Sequence, residues 1–235
     1  MQLFYNPNLD ETSSQFSFDA EESKHMVRVL RKKVNDEVLI TNGKGLMLSA
    51  KITDSNPKKC AVEITGVKKV HPQKHWLHII VAPTKMNDRF EWFLEKATEI
   101  GVNEITPVLC EHSERKSIKL DRYSKVIQSA MKQSNQAYLP KLNDLASLND
   151  IIEEPREGGL FIAHCEDSEK FELKRRVIPD KPITILIGPE GDFSAREIKA
   201  AKQKGFLPVS MGRNRLRTET AAIVACTTVA IINNG

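Results

Sequence analysis

An α/β fold, with a parallel sheet covered on both faces and a small, mostly antiparallel β-barrel domain in front of it, is what the sequence predicts. Three observations carry this. Beyond residue 72 five apolar segments of strand length alternate with segments of helical period. Before it, short β-branched runs follow one another with only turn residues between them. At the junction, "HPQKH" (His71 to His75) fits neither pattern and reads as a surface linker. The domain boundaries are therefore 1–72 and 73–235.

In the first domain, Asp19 and Glu22 have the spacing of a capping box and open a helix that runs into "KHMVRVLRKK". "EVLITNGKGLMLSAKIT" and "KKCAVEITGVKKV" supply the strands, with turns at Asn42-Gly43 and at Asp54 to Pro57. In the second, "LHIIVAP", "EITPVLC", "GLFIAHC", "ITILIGP" and "FLPVSMG" are strands. Between them lie the helices "RFEWFLEKATEIG", "DRYSKVIQSAMKQS", "SLNDIIEE" and "SAREIKAAKQKG". Phe90, Phe93, Leu94 and Ala97 recur at helical spacing as core positions, and Gly101 and Gly205 stand where helices end. Ser194 and Glu197 make a second capping box. The last segment, "TETAAIVACTTVAIINN", is apolar nearly all round and predicts a deeply buried helix.

Composition excludes several classes. No run of 18 apolar residues exists and the first residues lack a basic and an apolar region, so no membrane partner and a cytoplasmic protein are expected. Cys60, Cys110, Cys165 and Cys226 are too scattered for a zinc knuckle or a redox pair and read as reduced, mostly buried thiols. His71 and His75 have no carboxylate or cysteine close in sequence, so no metal is expected. A net charge of +4 permits nucleic-acid binding without requiring it. Lys24 to Lys33 carries five Lys or Arg and no acid, which suits either a solvated helix face or an RNA contact.

Three successive strands end in unusual loops: "AHCED" (Ala163 to Asp167), "GPEGD" (Gly188 to Asp192) and "MGRNRLRTETA" (Met211 to Ala221). In open α/β sheets ligands bind outside the carboxyl ends of strands, and glycine lets the backbone approach them closely. Neither a Walker loop nor a G-x-G-x-x-G fingerprint is present, and Glu190 and Asp192 would repel phosphate. An uncharged or cationic cofactor fits better.

"IGPEGDFS" together with "MGRNRLRTETA" resembles the paired signature of the small-subunit ribosomal RNA uridine N3-methyltransferases, members of the knotted SPOUT superfamily. "HMVRVLR", "KMNDRFEWFLEKATEIGVNEITP" and "SERK" followed by "KQSNQAYLP" stand in the family's order, so the resemblance covers the whole chain. The sequence departs from the pattern at Asp192, where a second glycine is common, and at Lys132 and Gln136, where an acid and an arginine are common. The resemblance implies a SPOUT domain with a trefoil knot, a PUA-like first domain, and S-adenosylmethionine as cofactor. It places the cofactor on Ala163, Leu186, Gly188, Pro189, Glu190 and Gly191, and on Met211, Gly212, Leu216 and Arg217. It also implies contacts of His25, Arg28, Arg31, Lys32 and Lys33 with RNA, a substrate cleft bordered by Lys85, Arg89 and Glu99, and a homodimer acting on 16S ribosomal RNA or the small subunit.

Methyl transfer to N3 of uridine leaves charge on the neighbouring carbonyl oxygens, and a permanently protonated arginine, Arg217 or Arg115, can stabilise it without serving as base. Glu219 lies where the final helix begins, a field that favours its ionised form and makes it a poor base, so it is read as orienting the loop or the substrate. An ion pair of Arg217 with Glu219 or Glu190 that braces the loops is the competing reading. Methylation of a ribose hydroxyl or a tRNA base, and RNA binding without catalysis, are the alternative functions.

Overall fold

Alternating apolar residues build the first sheet. In the computed structural model, which describes residues 2–234, Leu48, Ala50 and Ile52 are buried while Ser49 and Lys51 face out, the alternation of a strand covered on one face. The strands are β1 (Leu3–Tyr5), β2 (Gln15–Ser17), β3 (Glu37–Thr41), β4 (Leu46–Asp54) and β5 (Ala61–Lys69). They form a mixed, curled sheet in the order β1-β3-β4-β5-β2, in which only the β1–β3 pair is parallel. Phe4, Phe18, Met26, Ile40, Leu48 and Val62 fill its core. The β3–β4 turn is closed by Asn42, whose Oδ1 accepts from the Lys44 and Leu46 amides, while Gly43 and Gly45 take positive φ.

Helix α1 (Ala20–Lys24) begins at Asp19, whose carboxylate accepts the Glu22 amide at 2.8 Å. Only that half of the anticipated capping box is recorded, since the Glu22 carboxylate is turned to Lys132 and His25. His25–Val29 then widens into a π turn, with the Leu30 amide donating to the His25 carbonyl at 3.0 Å, and Arg31 follows with φ +55°. A compact unit comprises the chain up to Pro72 together with Met131–Leu139. The Thr41 hydroxyl donates to the Ala137 carbonyl and the Tyr138 hydroxyl to the Val70 carbonyl, so "KQSNQAYLP" contributes to this unit although it lies far along the chain. Periodicity does not display such long-range hydrogen bonds.

The second unit takes Gln73–Ala130 and the chain from Pro140 onward. Its strands are β6 (Trp76–Val81), β7 (Glu104–Leu109), β8 (Lys141–Leu142), β9 (Ala146–Ser147), β10 (Gly159–Ala163), β11 (Phe171–Glu172), β12 (Pro182–Ile187) and β13 (Leu207–Ser210). All pair in parallel, in the order β11-β13-β10-β12-β6-β7-β8 with β9 beside β7. Ile183 to Ile187 are all buried, as a strand covered on both faces requires. The helices are α2 (Asn87–Ile100), α3 (Leu120–Gln133), α4 (Leu148–Glu153), α5 (Ala195–Gln203) and α6 (Thr218–Asn234). Helix α2 ends on Gly101 with φ +107°, and Ser194 and Glu197 close the capping box of α5 in both directions.

Two expectations are corrected. The final helix α6 is not buried all round: Ala222, Ala225, Cys226 and Val229 are buried, but Ile223, Val224 and Thr227 are half-buried and Ile231 is exposed. It packs on α2, β6, β12 and the 3-10 turn Leu173–Arg175 and still leaves these positions open, which its uniform apolar character could not reveal. The stretch read as a surface linker buries His75, whose pKa is lowered by that burial and partly restored by Asp180. Cys60, Cys110 and Cys226 are buried and Cys165 is exposed. Among the described residues no helix is long and apolar enough to cross a membrane and no cluster suited to a metal ion occurs.

Candidate active site

Adjacent parallel strands put their following loops side by side, and the order β13-β10-β12 gathers the loops after Ser210, Ala163 and Ile187 at the carboxyl ends of these strands. Between them lies a cavity of about 360 Å³, within the range of small-ligand sites. Ala163, Gly188, Pro189, Met211, Gly212 and Leu216 line it, as the sequence suggests. His164, Cys165, Lys170, Arg213 and Arg215 line it too, beyond the residues the sequence assigns to the cofactor, and so does Asp192, where the sequence departs from the family pattern. Leu186 is fully buried inside β12, and Glu190 and Gly191 lie in the loop without lining the cavity.

The loop after β12 is tightly tied. The Asp192 amide donates to the Pro189 carbonyl at 2.9 Å, and the Thr218 hydroxyl donates to the Gly188 carbonyl at 3.0 Å. His112 Nδ1 lies 3.1 Å from the Gly191 carbonyl, and the Glu190 Oε1 accepts the Lys85 amide at 2.9 Å. A Cβ on Gly188 would stand 3.0 Å from the Phe193 ring, so this position needs glycine for packing, whereas Gly212 needs it for φ +124°.

A second cavity, of about 660 Å³, is lined by Asp88, Arg89, Trp92, Arg217, Glu219 and Thr220. Arg217, placed by the sequence with the cofactor residues, lines this cavity instead of the first. The recorded partner of Glu219 is Arg89, Nε to Oε1 at 3.9 Å, and no Arg217 ion pair with Glu219 or Glu190 is recorded among the described residues. Arg115 donates to the Thr84 carbonyl at 2.9 Å and the Lys85 carbonyl at 2.8 Å, holding the loop in front of α2. Lys85 pairs with Glu114 at 2.8 Å, and that carboxylate raises its pKa. Lys96 bonds Glu95 and Glu99 on the α2 surface.

Buried side-chain atoms lacking a hydrogen-bond partner are His164 Nδ1 and Nε2, Glu190 Oε2 and Glu219 Oε2 among the described residues. His164 belongs to the loop after β10, Glu190 to the loop after β12, and Glu219 to the first turn of α6. An unpaired buried polar group costs about 1–3 kcal/mol, so their concentration here marks a place built to receive ligands. Burial, then the nearby Lys170, lowers the pKa of His164 and favours a neutral ring.

In the first unit, Arg28, Arg31 and Lys33 are exposed, and no acidic side chain pairs with Arg28, Arg31, Lys32 or Lys33 among the described residues. His25 Nδ1 lies 3.4 Å from Glu22 Oε1, and Val29 beside them is 66% exposed.

A parallel α/β unit with a ligand cavity at its strand ends, preceded by a curled β unit with an unpaired basic turn, defines a class: residues 71–230 match the family described as RNA methyltransferase domain, and residues 18–65 match RNA methyltransferase PUA domain. The ribosomal RNA small subunit methyltransferase E of Buchnera aphidicola subsp. Acyrthosiphon pisum is 32% identical, over 96% of this chain and 91% of the relative. A probable rRNA-methyltransferase from Porphyromonas gingivalis superposes with a TM-score of 0.92 at 36% identity, covering 100% of this chain and 99% of the other. A Legionella pneumophila protein solved in complex with the bound cofactor SAM gives 0.87 at 28%, covering 98% and 97%. The chain belongs to the ribosomal RNA small subunit methyltransferase E family.

Proposed function

We propose that the protein transfers a methyl group from S-adenosylmethionine to N3 of a uridine in 16S ribosomal RNA, as a cytoplasmic homodimer. The observation that carries this reading is the set of unpartnered buried atoms in the loops after β10 and β12 and in the first turn of α6, in a chain whose relatives are named for small-subunit ribosomal RNA methylation. Residues 1–72 are assigned as the RNA-binding domain and 73–235 as the methyl-transferring domain. His25, Arg28, Arg31 and Lys32 are assigned to phosphate contacts, with Lys85 and Arg89 bordering the cleft.

The first cavity suits the cofactor. Backbone groups of Gly188 and Gly212, which both line the cavity, can meet the adenosine, Ile187, Val209 and Leu216 give apolar walls, and Asp192 offers a negative charge to a cationic ligand. When bound, the cofactor supplies an electrophilic methyl group. Leu186, Glu190 and Gly191 shape the loop that carries Gly188 and Pro189. Arg217 faces the uracil anion, since the Arg115 donors are already committed to the Thr84 and Lys85 carbonyls. Glu219 lines the same cavity as Arg217.

The stripe of half-buried Ile223 and Thr227 and exposed Ile231 on α6 supports pairing of two copies about a two-fold axis. Light scattering should then give twice 26.5 kDa. Transfer of labelled methyl from S-adenosylmethionine to small subunits isolated from a strain lacking this gene tests the activity. Digestion should yield labelled 3-methyluridine; label in a 2′-O-methyl nucleoside or in no nucleoside rejects the assignment.

A further inference from the structure

Resting on that reading, we infer that the cavity between α2 and the start of α6 is the pocket for the target base, with Trp92 as its stacking platform and Glu219 as the acceptor of the N3 proton. Three features meet there. Glu219 is 7% exposed, and its Oε2 has no partner, while its Oε1 stands 3.9 Å from Arg89 Nε. Trp92 is 44% exposed on a helix whose Phe90, Phe93 and Leu94 are fully buried, and it lines the same cavity. Arg89 and Arg217 supply cations at the wall.

These groups match uracil. Its pairing edge presents acceptor, donor, acceptor: O4, N3–H and O2. The cavity offers donor, acceptor, donor, from one arginine, the free carboxylate oxygen and the other arginine. Cytosine would set its N3 lone pair against that carboxylate, a repulsive arrangement that excludes it. A base taken out of its stack needs an aromatic face to replace the lost neighbour, and indole supplies one. In the reaction the N3–H bond breaks toward Glu219 Oε2 and its electrons remain on N3. The charge spreads onto O2 and O4 beside the arginines. N3 then bonds the methyl carbon as the carbon–sulfur bond breaks, the sulfonium leaving as a neutral thioether, and Glu219 releases its proton to water. A carboxylate is a weak base, so the arginines must lower the cost of the uracil anion for this transfer to proceed.

Trp76 and Trp92 are the two tryptophans, so Trp76→Phe leaves Trp92 as the sole indole reporter. The probe is a short RNA bearing one unpaired uridine, compared with the same RNA bearing cytidine. Uridine should quench Trp92 saturably and cytidine less. Glu219→Gln, which can donate to the cytosine N3, should narrow that difference. In transfer assays Glu219→Gln should cost about a hundredfold in saturated rate at neutral pH, recover as alkaline pH ionises N3, and leave cofactor affinity in place. Trp92→Ala should weaken use of RNA about tenfold to a hundredfold, with Trp92→Phe restoring most of it. Equal quenching by the two RNAs, no quenching while fluorescence anisotropy still reports RNA binding, or a Glu219→Gln pH profile parallel to wild type would overturn the assignment. So would a change of mass by light scattering in Trp92→Ala, which would make Trp92 a subunit contact. The wild-type transfer assay separates these outcomes from failure of the overall function.

Discussion

The Asp192 carboxylate accepts a hydrogen bond from the Cys165 amide at 2.7 Å, joining the loop after β12 to the loop after β10. Its other oxygen accepts the Phe193 amide at 2.9 Å, and the residue holds φ +64°, a left-handed conformation that glycine adopts more easily. A glycine common in the family is therefore replaced here by a latch. Asp192→Gly keeps the backbone shape and removes the latch, and should weaken cofactor binding about tenfold by calorimetry, in line with a hydrogen bond to a charged group. Asp192→Asn should fall between. Unchanged affinity in Asp192→Gly would mean that the two loops hold their places independently.

The two glycines of the cofactor cavity should fail for different reasons. Gly188→Val drives a side chain against the buried Phe193 ring, whereas a Cβ at Gly212 meets no atom within 4 Å and is opposed by the φ of +124°. Calorimetry should show cofactor binding lost in both with helix content kept. The melting temperature should fall further in Gly188→Val, because overpacking a core costs about 1–3 kcal/mol. Micromolar binding retained in either variant would remove that loop from the site.

Arg31 exchanges stability for display. Its φ of +55° costs about 1 kcal/mol relative to glycine, at the exit of a π turn, a feature frequent at functional sites. Arg31→Gly should raise the melting temperature while lowering RNA affinity and reducing the salt slope by about one unit. Arg28→Ala should reduce the slope without the gain in stability. An unchanged slope in both variants would leave the basic turn as a solvated surface.

His78 sets an acid limit on the second unit. The ring is buried, with Nε2 2.7 Å from the Thr106 hydroxyl, and burial lowers its pKa from 6.5 to about 4 against an opposing pull from Glu104. The unfolded chain therefore binds a proton on His78 that the folded chain refuses. This contribution, at most about 3 kcal/mol, is fully present above pH 6.5 and is lost as pH falls toward 4. Urea midpoints measured across that range should fall for the wild type and less steeply for His78→Asn. Parallel curves would place the acid sensitivity elsewhere.

Much of this architecture is legible in the sequence because its signals are local. The run Ile183 to Ile187 marks a doubly covered strand, Ser194 with Glu197 marks the start of α5, and Gly188 and Gly212 point to the cavity they line. What escapes are contacts between distant segments. Nothing near Ala137 indicates that its carbonyl accepts the Thr41 hydroxyl, and nothing near Cys165 announces its bond to Asp192. Proximity in the chain offers Arg217 as a partner for Glu219, but the ion pair is with Arg89 on α2, which only the packing of α6 against α2 brings within reach. The face left open on α6 escaped because its polar and apolar positions are not segregated.

Primer extension across 16S ribosomal RNA tests the central claim most directly, since a methyl group on N3 removes the hydrogen that base pairing requires and halts reverse transcriptase. RNA from cells carrying the gene should stop the enzyme at one uridine. RNA from cells lacking it should be read through there, and the stop should return with the wild-type gene but not with Gly212→Val. A stop that persists without the gene, or read-through in both strains, would contradict the assignment of uridine N3 methylation to this protein.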